Sequence, residues 1–201
     1  MAVPLTRKRF TPAEYYSLEH DAVYKSDYYE GEIFDMSGGT SDHSLITTNL
    51  LGIVWQGLRG KPCKAYESNM RLLTPATGLR TYPDVSVYCA PLEYDPEDPR
   101  KTTATNPTVV IEVSSPTTER YDRGVKAESY RQLKTLRTYV LVAQDRAHVE
   151  VHDRGPDEAW SIRNVTGLGA TTRLDVIGVD LPLAVIYDGV ELPATLPPAQ
   201  P

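Results

Sequence analysis

The sequence predicts a mixed α/β (α+β) fold, a central mixed β-sheet flanked by helices, and three observations carry that expectation. Residues 108–114 form a β-branched apolar run of strand length, the pattern of a strand covered on both faces. Shorter stretches alternate apolar and polar residues at period two. Helix-start signals stand at 11–14, at Ser41 and at Asp122, so the summed order is helix, hairpin, helix, several strands, helix and more strands.

In chain order, Thr11, Pro12 and Glu14 supply a hydroxyl cap, a proline at the first helical position and a reciprocal glutamate, which predicts a helix to about residue 20. Residues 28–36, with Gly31 inside, read as a strand or hairpin closed by a turn at Ser37, Gly38, Gly39 and Thr40. Ser41 can cap a second helix in which Leu45, Ile46, Leu50, Ile53, Val54 and Leu58 follow helical spacing, with Gly60 as its stop. Residues 65–73 and 82–88 alternate as strands. Residues 91–107 are rich in proline and acid (Glu93, Asp95, Glu97, Asp98) and read as a solvated insertion. After the 108–114 strand, Asp122 can cap a helix over 123–136 in which Val125, Gln132, Leu133 and Leu136 pack inward. Residues 139–152 read as a hairpin, 160–165 as a further strand, and 174–187 as a mixed apolar segment that can close the sheet.

With 201 residues, 40% hydrophobic and 24% charged, the chain suits one globular domain over 1–190, followed by a proline-rich disordered tail at 191–201. Twenty-one Lys and Arg against 27 Asp and Glu give a formal charge of -6, which argues against bulk attraction to nucleic acid. Locally, residues 120–137 hold six basic side chains against two acidic ones, so a phosphate-binding patch is possible there. Cys63 and Cys89 lie far apart without a Cys-x-x-Cys pairing, so two buried free thiols in a reducing cytoplasm are expected. Residues 1–10 lack the apolar run of a signal peptide, and no segment approaches the roughly 20 apolar residues of a membrane span. A soluble cytoplasmic protein is expected.

The chemistry is expected where polar residues interrupt the strands. An ionised Glu112 inside an apolar run is costly to bury unless a cation or donor compensates. Strand periodicity puts Glu112 and Ser114 on one face and Ile111 and Val113 on the other, while Asp84 lies opposite the Val85 and Val87 face of its own strand. If the two strands are neighbours, Asp84 and Glu112 sit together, and their oxygens favour a hard divalent cation such as Mg²⁺. Lys126 and Tyr130, four apart on the following helix, share a face that can return toward Glu112. On spacing alone a purely structural reading stays open: Asp84 as a turn cap, Glu112 and Lys126 as an internal ion pair, Tyr130 as core.

These residues resemble a known family. Pro83-Asp84-Val85, Ile111-Glu112-Val113-Ser114-Ser115-Pro116, and Asp122, Lys126 and Tyr130, preceded by Tyr29-Glu30-Gly31-Glu32-Ile33 and by Gly38-Gly39 with His43, look like the Uma-type family of putative restriction endonucleases, within the PD-(D/E)XK nuclease superfamily. The resemblance spans about residues 10–187. It implies a restriction-endonuclease-like core and makes Asp84, Glu112 and the Val113 carbonyl the metal ligands and Lys126 the catalytic lysine. Asp27 and His43 match polar residues at the helical edge of the site, where Asp27 replaces a commoner Glu; the alternatives are a capping role for Asp27 and a capping or surface histidine for His43. The superfamily's usual lysine stands two residues after the Glu, where this chain has Ser114, so the resemblance implies that Lys126 replaces it from the helix.

The expected function is therefore Mg²⁺-dependent hydrolysis of DNA phosphodiester bonds, with Mn²⁺ as a possible substitute and a homodimer required for cutting both strands. The alternative is a catalytically silent nuclease-like domain that binds a protein or nucleic-acid partner; a hydrolase of a small phosphorylated molecule is a third. His148, Glu150 and His152 read as an exposed polar strand face rather than a metal site. No Gly-x-Ser-x-Gly elbow, phosphate-binding loop or dinucleotide fingerprint is present.

Overall fold

The computed structural model describes residues 8–36 and 38–193. Its order is α1 (Pro12–Asp21), β1 (Ser26–Tyr29), β2 (Glu32–Asp35), α2 (Ser41–Gly57), β3 (Lys64–Glu67), β4 (Arg71–Thr74), β5 (Leu79–Thr81), β6 (Val85–Tyr88), β7 (Thr103–Ala104) and β8 (Val109–Ser114). There follow α3 (Glu119–Tyr121), a π-helical turn (Asp122–Lys126), α4 (Ala127–Tyr130), β9 (Thr138–Ala143), β10 (His148–Arg154), β11 (Trp160–Thr166), β12 (Thr171–Leu174), β13 (Val179–Pro182) and α5 (Leu183–Ile186). This is the mixed α/β architecture expected: a six-stranded sheet in the order β11-β10-β9-β8-β6-β3, a five-stranded sheet β2-β1-β5-β4-β7, and a separate β12-β13 hairpin.

The large sheet is antiparallel except where β8 and β9 run parallel, joined by the helical crossover at 119–130. Alternate residues of β8 feed different cores. Val109, Ile111 and Val113 pack with Ile46, Leu50 and Val54 of α2 and with the C-terminal hairpin. Val110, on the other face, joins Leu72, Leu79, Tyr130, Leu133, Leu136 and Tyr139. Glu112 shares that second face, which is why its carboxylate lies under the crossover and away from water.

Several local expectations hold. Thr11 and Glu14 form the reciprocal capping box of α1. Glu30 and Gly31 both adopt positive φ, 49° and 84°, the backbone of a two-residue type I′ hairpin between β1 and β2. The α2 cap is Thr40, one residue before Ser41, and the helix ends at Gly57, short of Gly60. Ser37 of the predicted turn lies outside the described residues, as do residues 1–7 and 194–201, the latter holding most of the proline-rich tail.

Other expectations are corrected. The alternation over 65–73 divides into β3 and β4, which belong to different sheets, with β5 unforeseen beyond them. Residues 174–187 form no strand of the large sheet; they contribute β13 and α5 to its apolar flank. The acidic insertion is not simply solvated. Asp95 and Asp98 are buried, and Asp95 Oδ2 pairs with Arg80 at 2.8 Å and accepts a hydrogen bond from Tyr16 at 2.5 Å, because β5 delivers a buried guanidinium that must be compensated. Cys63 and Cys89 are joined in a disulfide, against the free-thiol expectation. The antiparallel ladder pairs Lys64 with Tyr88, so the next residues outward, 63 and 89, face each other. Glu150 and His152 are buried rather than exposed, with Glu150 paired to Arg123 and His152, and His152 bonded to Arg131 at 2.9 Å.

Candidate active site

The register places the first carboxylate. In the antiparallel β6–β8 pair Val85 faces Ile111, so the preceding Asp84 comes opposite Glu112. Asp84 Oδ2 accepts a hydrogen bond from the Val113 backbone N–H at 2.7 Å, and His43 Nε2 lies 3.4 Å from the same oxygen. His43 stands in the first turn of α2. A Cβ on Gly39 would come within 2.8 Å of His43 Nδ1, so the glycine leaves the ring the room it occupies. The Asp84 carboxylate holds the His43 imidazole above its ordinary pKa, against the opposing effect of burial, and the Val113 backbone adds to the rise.

Glu112 is the deep member of the site, 3% exposed. Its Oε1 accepts a hydrogen bond from Tyr130 Oη at 2.8 Å and lies 3.1 Å from Lys126 Nζ. Burial pushes the Glu112 carboxyl up to about 8; Lys126 opposes the shift, and the negative charges of Asp84 and Asp122 add to it. Burial alone would lower Lys126, but Glu112, Asp27 and Asp122 hold it well above an ordinary lysine, so it is an ammonium at neutral pH. Breaking such a buried pair from one side typically costs about 3–5 kcal/mol. Tyr130 is fully buried between Glu112 and the Thr81 hydroxyl, 2.7 Å away; it touches the site from behind.

Asp27 sits in mid-strand on β1 and begins no helix, so the capping alternative does not apply to it. Its Oδ2 accepts from Tyr121 at 3.4 Å, while Oδ1 is buried with no hydrogen-bond partner among the described residues. Burial raises its pKa, with Lys126 pulling the other way. The expected helix over 123–136 is also altered. Helical backbone begins at Glu119 and ends at Tyr130, and Asp122 does not cap it but lies buried inside the π-helical turn. Val125 and Gln132, expected to pack inward, are exposed.

Asp122 is the residue that sequence reasoning undervalued. Its Oδ1 lies 3.3 Å from Lys126 Nζ and its Oδ2 accepts from Ser114 Oγ at 2.9 Å. The signal was present as the i, i+4 spacing with Lys126, which a cap reading concealed. The basic stretch also changes meaning: Lys126 and Arg123 are spent on Glu112, Asp122, Glu119 and Glu150, and Arg137 pairs with Glu158. Among the described residues no group of three or more His, Cys, Asp and Glu is arranged to hold a metal ion, and no helix is long and apolar enough to cross a membrane.

The sequence profile of a family described as Uma2, putative restriction endonuclease, matches residues 12–185. The chain is 35% identical over 186 residues to an uncharacterized protein of Synechocystis sp., slr1290, covering 90% of this chain and 93% of the relative. A second uncharacterized Synechocystis protein, sll1609, is 29% identical over 170 residues, covering 85% and 95%. In fold, the chain is similar to a crystal structure described as a putative nuclease belonging to DUF820 from Anabaena variabilis, with TM-score 0.68, 17% identity, and coverage of 87% of this chain and 95% of that one.

Proposed function

Because the chain belongs to the Uma2 family of putative restriction endonucleases, we propose that it is a divalent-metal-dependent hydrolase of DNA phosphodiester bonds. The observation that carries this reading is the meeting of Asp84 and Glu112 at the paired ends of β6 and β8, with the Lys126 ammonium 3.1 Å from Glu112.

The donor set fits a hard cation. Its members are oxygens, and the carboxyls of Asp84, Glu112 and Asp122 gather around the single buried ammonium of Lys126. Asp84, Glu112 and the Val113 carbonyl would hold Mg²⁺, for which Mn²⁺ can substitute, and the bound ion would supply Lewis-acid stabilisation at a phosphoryl oxygen. Lys126 offers a fixed positive charge to the oxyanion that develops on phosphorus. Tyr130 orients Glu112 from behind, and Asp27, with an unpartnered buried oxygen, can position a polar group above Lys126. His43 borders Asp84 where the site opens, and its ring can donate a proton or hold a phosphate oxygen.

One such site cuts one strand, so cleavage of duplex DNA would engage two copies of the chain, working in the cytoplasm. The test is plasmid DNA incubated with the purified protein and Mg²⁺ or Mn²⁺. Cleavage that disappears in Glu112→Gln and on chelation supports the proposal. Cleavage unaffected by Glu112→Gln sinks it, and no cleavage together with no calorimetric Mn²⁺ binding points to a silent binding domain instead.

A further inference from the structure

Ser114 stands two residues beyond Glu112 and on the same strand face. Its hydroxyl carries no charge, yet it is engaged: Ser114 Oγ donates to Asp122 Oδ2 at 2.9 Å. Asp122 Oδ1 then reaches Lys126 Nζ at 3.3 Å, and the Asp122 backbone carbonyl accepts from Tyr139 Oη at 3.0 Å. Asp122 is thus tied to β8 through Ser114, to β9 through Tyr139, and to the lysine through its remaining oxygen. The backbone between Asp122 and Lys126 is π-helical, a geometry that recurs at functional sites because the widened turn re-aims side chains.

The ammonium therefore lies between two carboxylates with different duties. Glu112 belongs to the reacting centre, and its oxygens would be drawn upon by any bound cation. Asp122 is occupied by Ser114 and stays with the lysine. A carboxylate present only to neutralise Lys126 would not need an anchor on the strand. We propose that Asp122, anchored by Ser114, is a positioning residue that holds Lys126 at the reacting centre whether or not Glu112 is engaged, so that a helix-borne lysine acts from a fixed place. The proposal rests on the hydrolytic reading above, but its geometric content is testable apart from it.

The experiment compares Asp122→Asn, which is isosteric, with Ser114→Ala, which leaves the Asp122–Lys126 ion pair in place, and with Ser114→Thr, which keeps the hydroxyl. In Mn²⁺-supported cleavage of plasmid DNA, loss of such a supporting contact is expected to lower kcat about ten- to a hundredfold in Asp122→Asn and Ser114→Ala. KM for DNA and the calorimetric Kd for Mn²⁺ should stay within about twofold, because the contact acts on the chemical step. Ser114→Thr should keep near wild-type kcat. In parallel, peptide-resolved labelling of folded protein with an amine-reactive ester should find Lys126 protected in the wild type and more reactive in Asp122→Asn. Unchanged kcat in both Asp122→Asn and Ser114→Ala overturns the proposal. A loss of Mn²⁺ affinity with kcat intact also overturns it, since Asp122 would then be a ligand. If the wild type cleaves no DNA, the hydrolytic reading fails while the labelling still decides: greater Lys126 reactivity in Asp122→Asn upholds the positioning role, and unchanged reactivity removes it.

Discussion

Asp84 accepts the Val113 backbone N–H at 2.7 Å, so one metal-ligand candidate is fixed by the backbone of the strand that carries the other. A charge-assisted bond of this kind contributes about 1.5–3 kcal/mol, and it ties the Asp84 oxygens to the strand end rather than to a loop. Asp84→Asn keeps the shape but loses the charge at both the Val113 amide and His43. The expected result is a Kd for Mn²⁺ raised at least tenfold, measured by calorimetry, with near-normal circular dichroism. Unchanged Mn²⁺ affinity would remove Asp84 from the ligand set.

Tyr130 differs in kind, because it is fully buried and meets Glu112 and Thr81 with one hydroxyl. Tyr130→Phe leaves the buried Glu112 acceptor and the Thr81 hydroxyl donor each with one fewer partner, and the expected loss of stability is about 1–3 kcal/mol in urea denaturation. Cleavage should fall through kcat, as Glu112 loses its orientation, without a change in DNA affinity. A variant as stable and as active as the wild type would reduce Tyr130 to a core ring.

How far the site was legible follows from which rules govern each residue. Glu112 could be read because an acid in a β-branched run is an anomaly that burial makes expensive. The meeting of Asp84 with Glu112 could be read conditionally, since period two fixes faces but not neighbours. Asp122 escaped because a π-helical turn breaks the 3.6-residue period on which helix reading depends, turning an expected cap inward. Asp95 and Asp98 looked solvated because their compensation comes from Arg80 and Arg71, on strands whose pairing is not local information. The same limit hid the cysteine pair, whose separation of 26 residues closes only when β3 meets β6.

That disulfide has a direct consequence. Cross-linking a loop of this length restricts the unfolded chain by about 3.5 kcal/mol in the chain-entropy account. Cys63→Ser with Cys89→Ser, or reduction of the wild type, should lower stability by an amount of that order while leaving DNA cleavage intact, because the bond lies beyond the far end of β6 from Asp84. Intact-mass measurement with and without reductant and alkylation decides whether the bond forms; two alkylated thiols in the unreduced protein would show that it does not.

His43 supplies the pH test. Its pKa is raised chiefly by the hydrogen bond to Asp84, so the protonated ring is favoured in the folded state relative to the unfolded chain. The stabilising contribution is therefore fully present below the ordinary histidine value near 6.5 and is lost as pH rises through the folded value. The His43 ring signals in an NMR titration should give a midpoint above 6.5, and Asp84→Asn should bring it down. Saturating Mg²⁺ should act in the same direction as that substitution if the ion binds at Asp84, since a cation there opposes a second positive charge on the neighbouring ring. A midpoint that Mg²⁺ leaves unmoved, in protein that binds Mg²⁺ calorimetrically, would place the ion away from Asp84 and separate His43 from the metal chemistry.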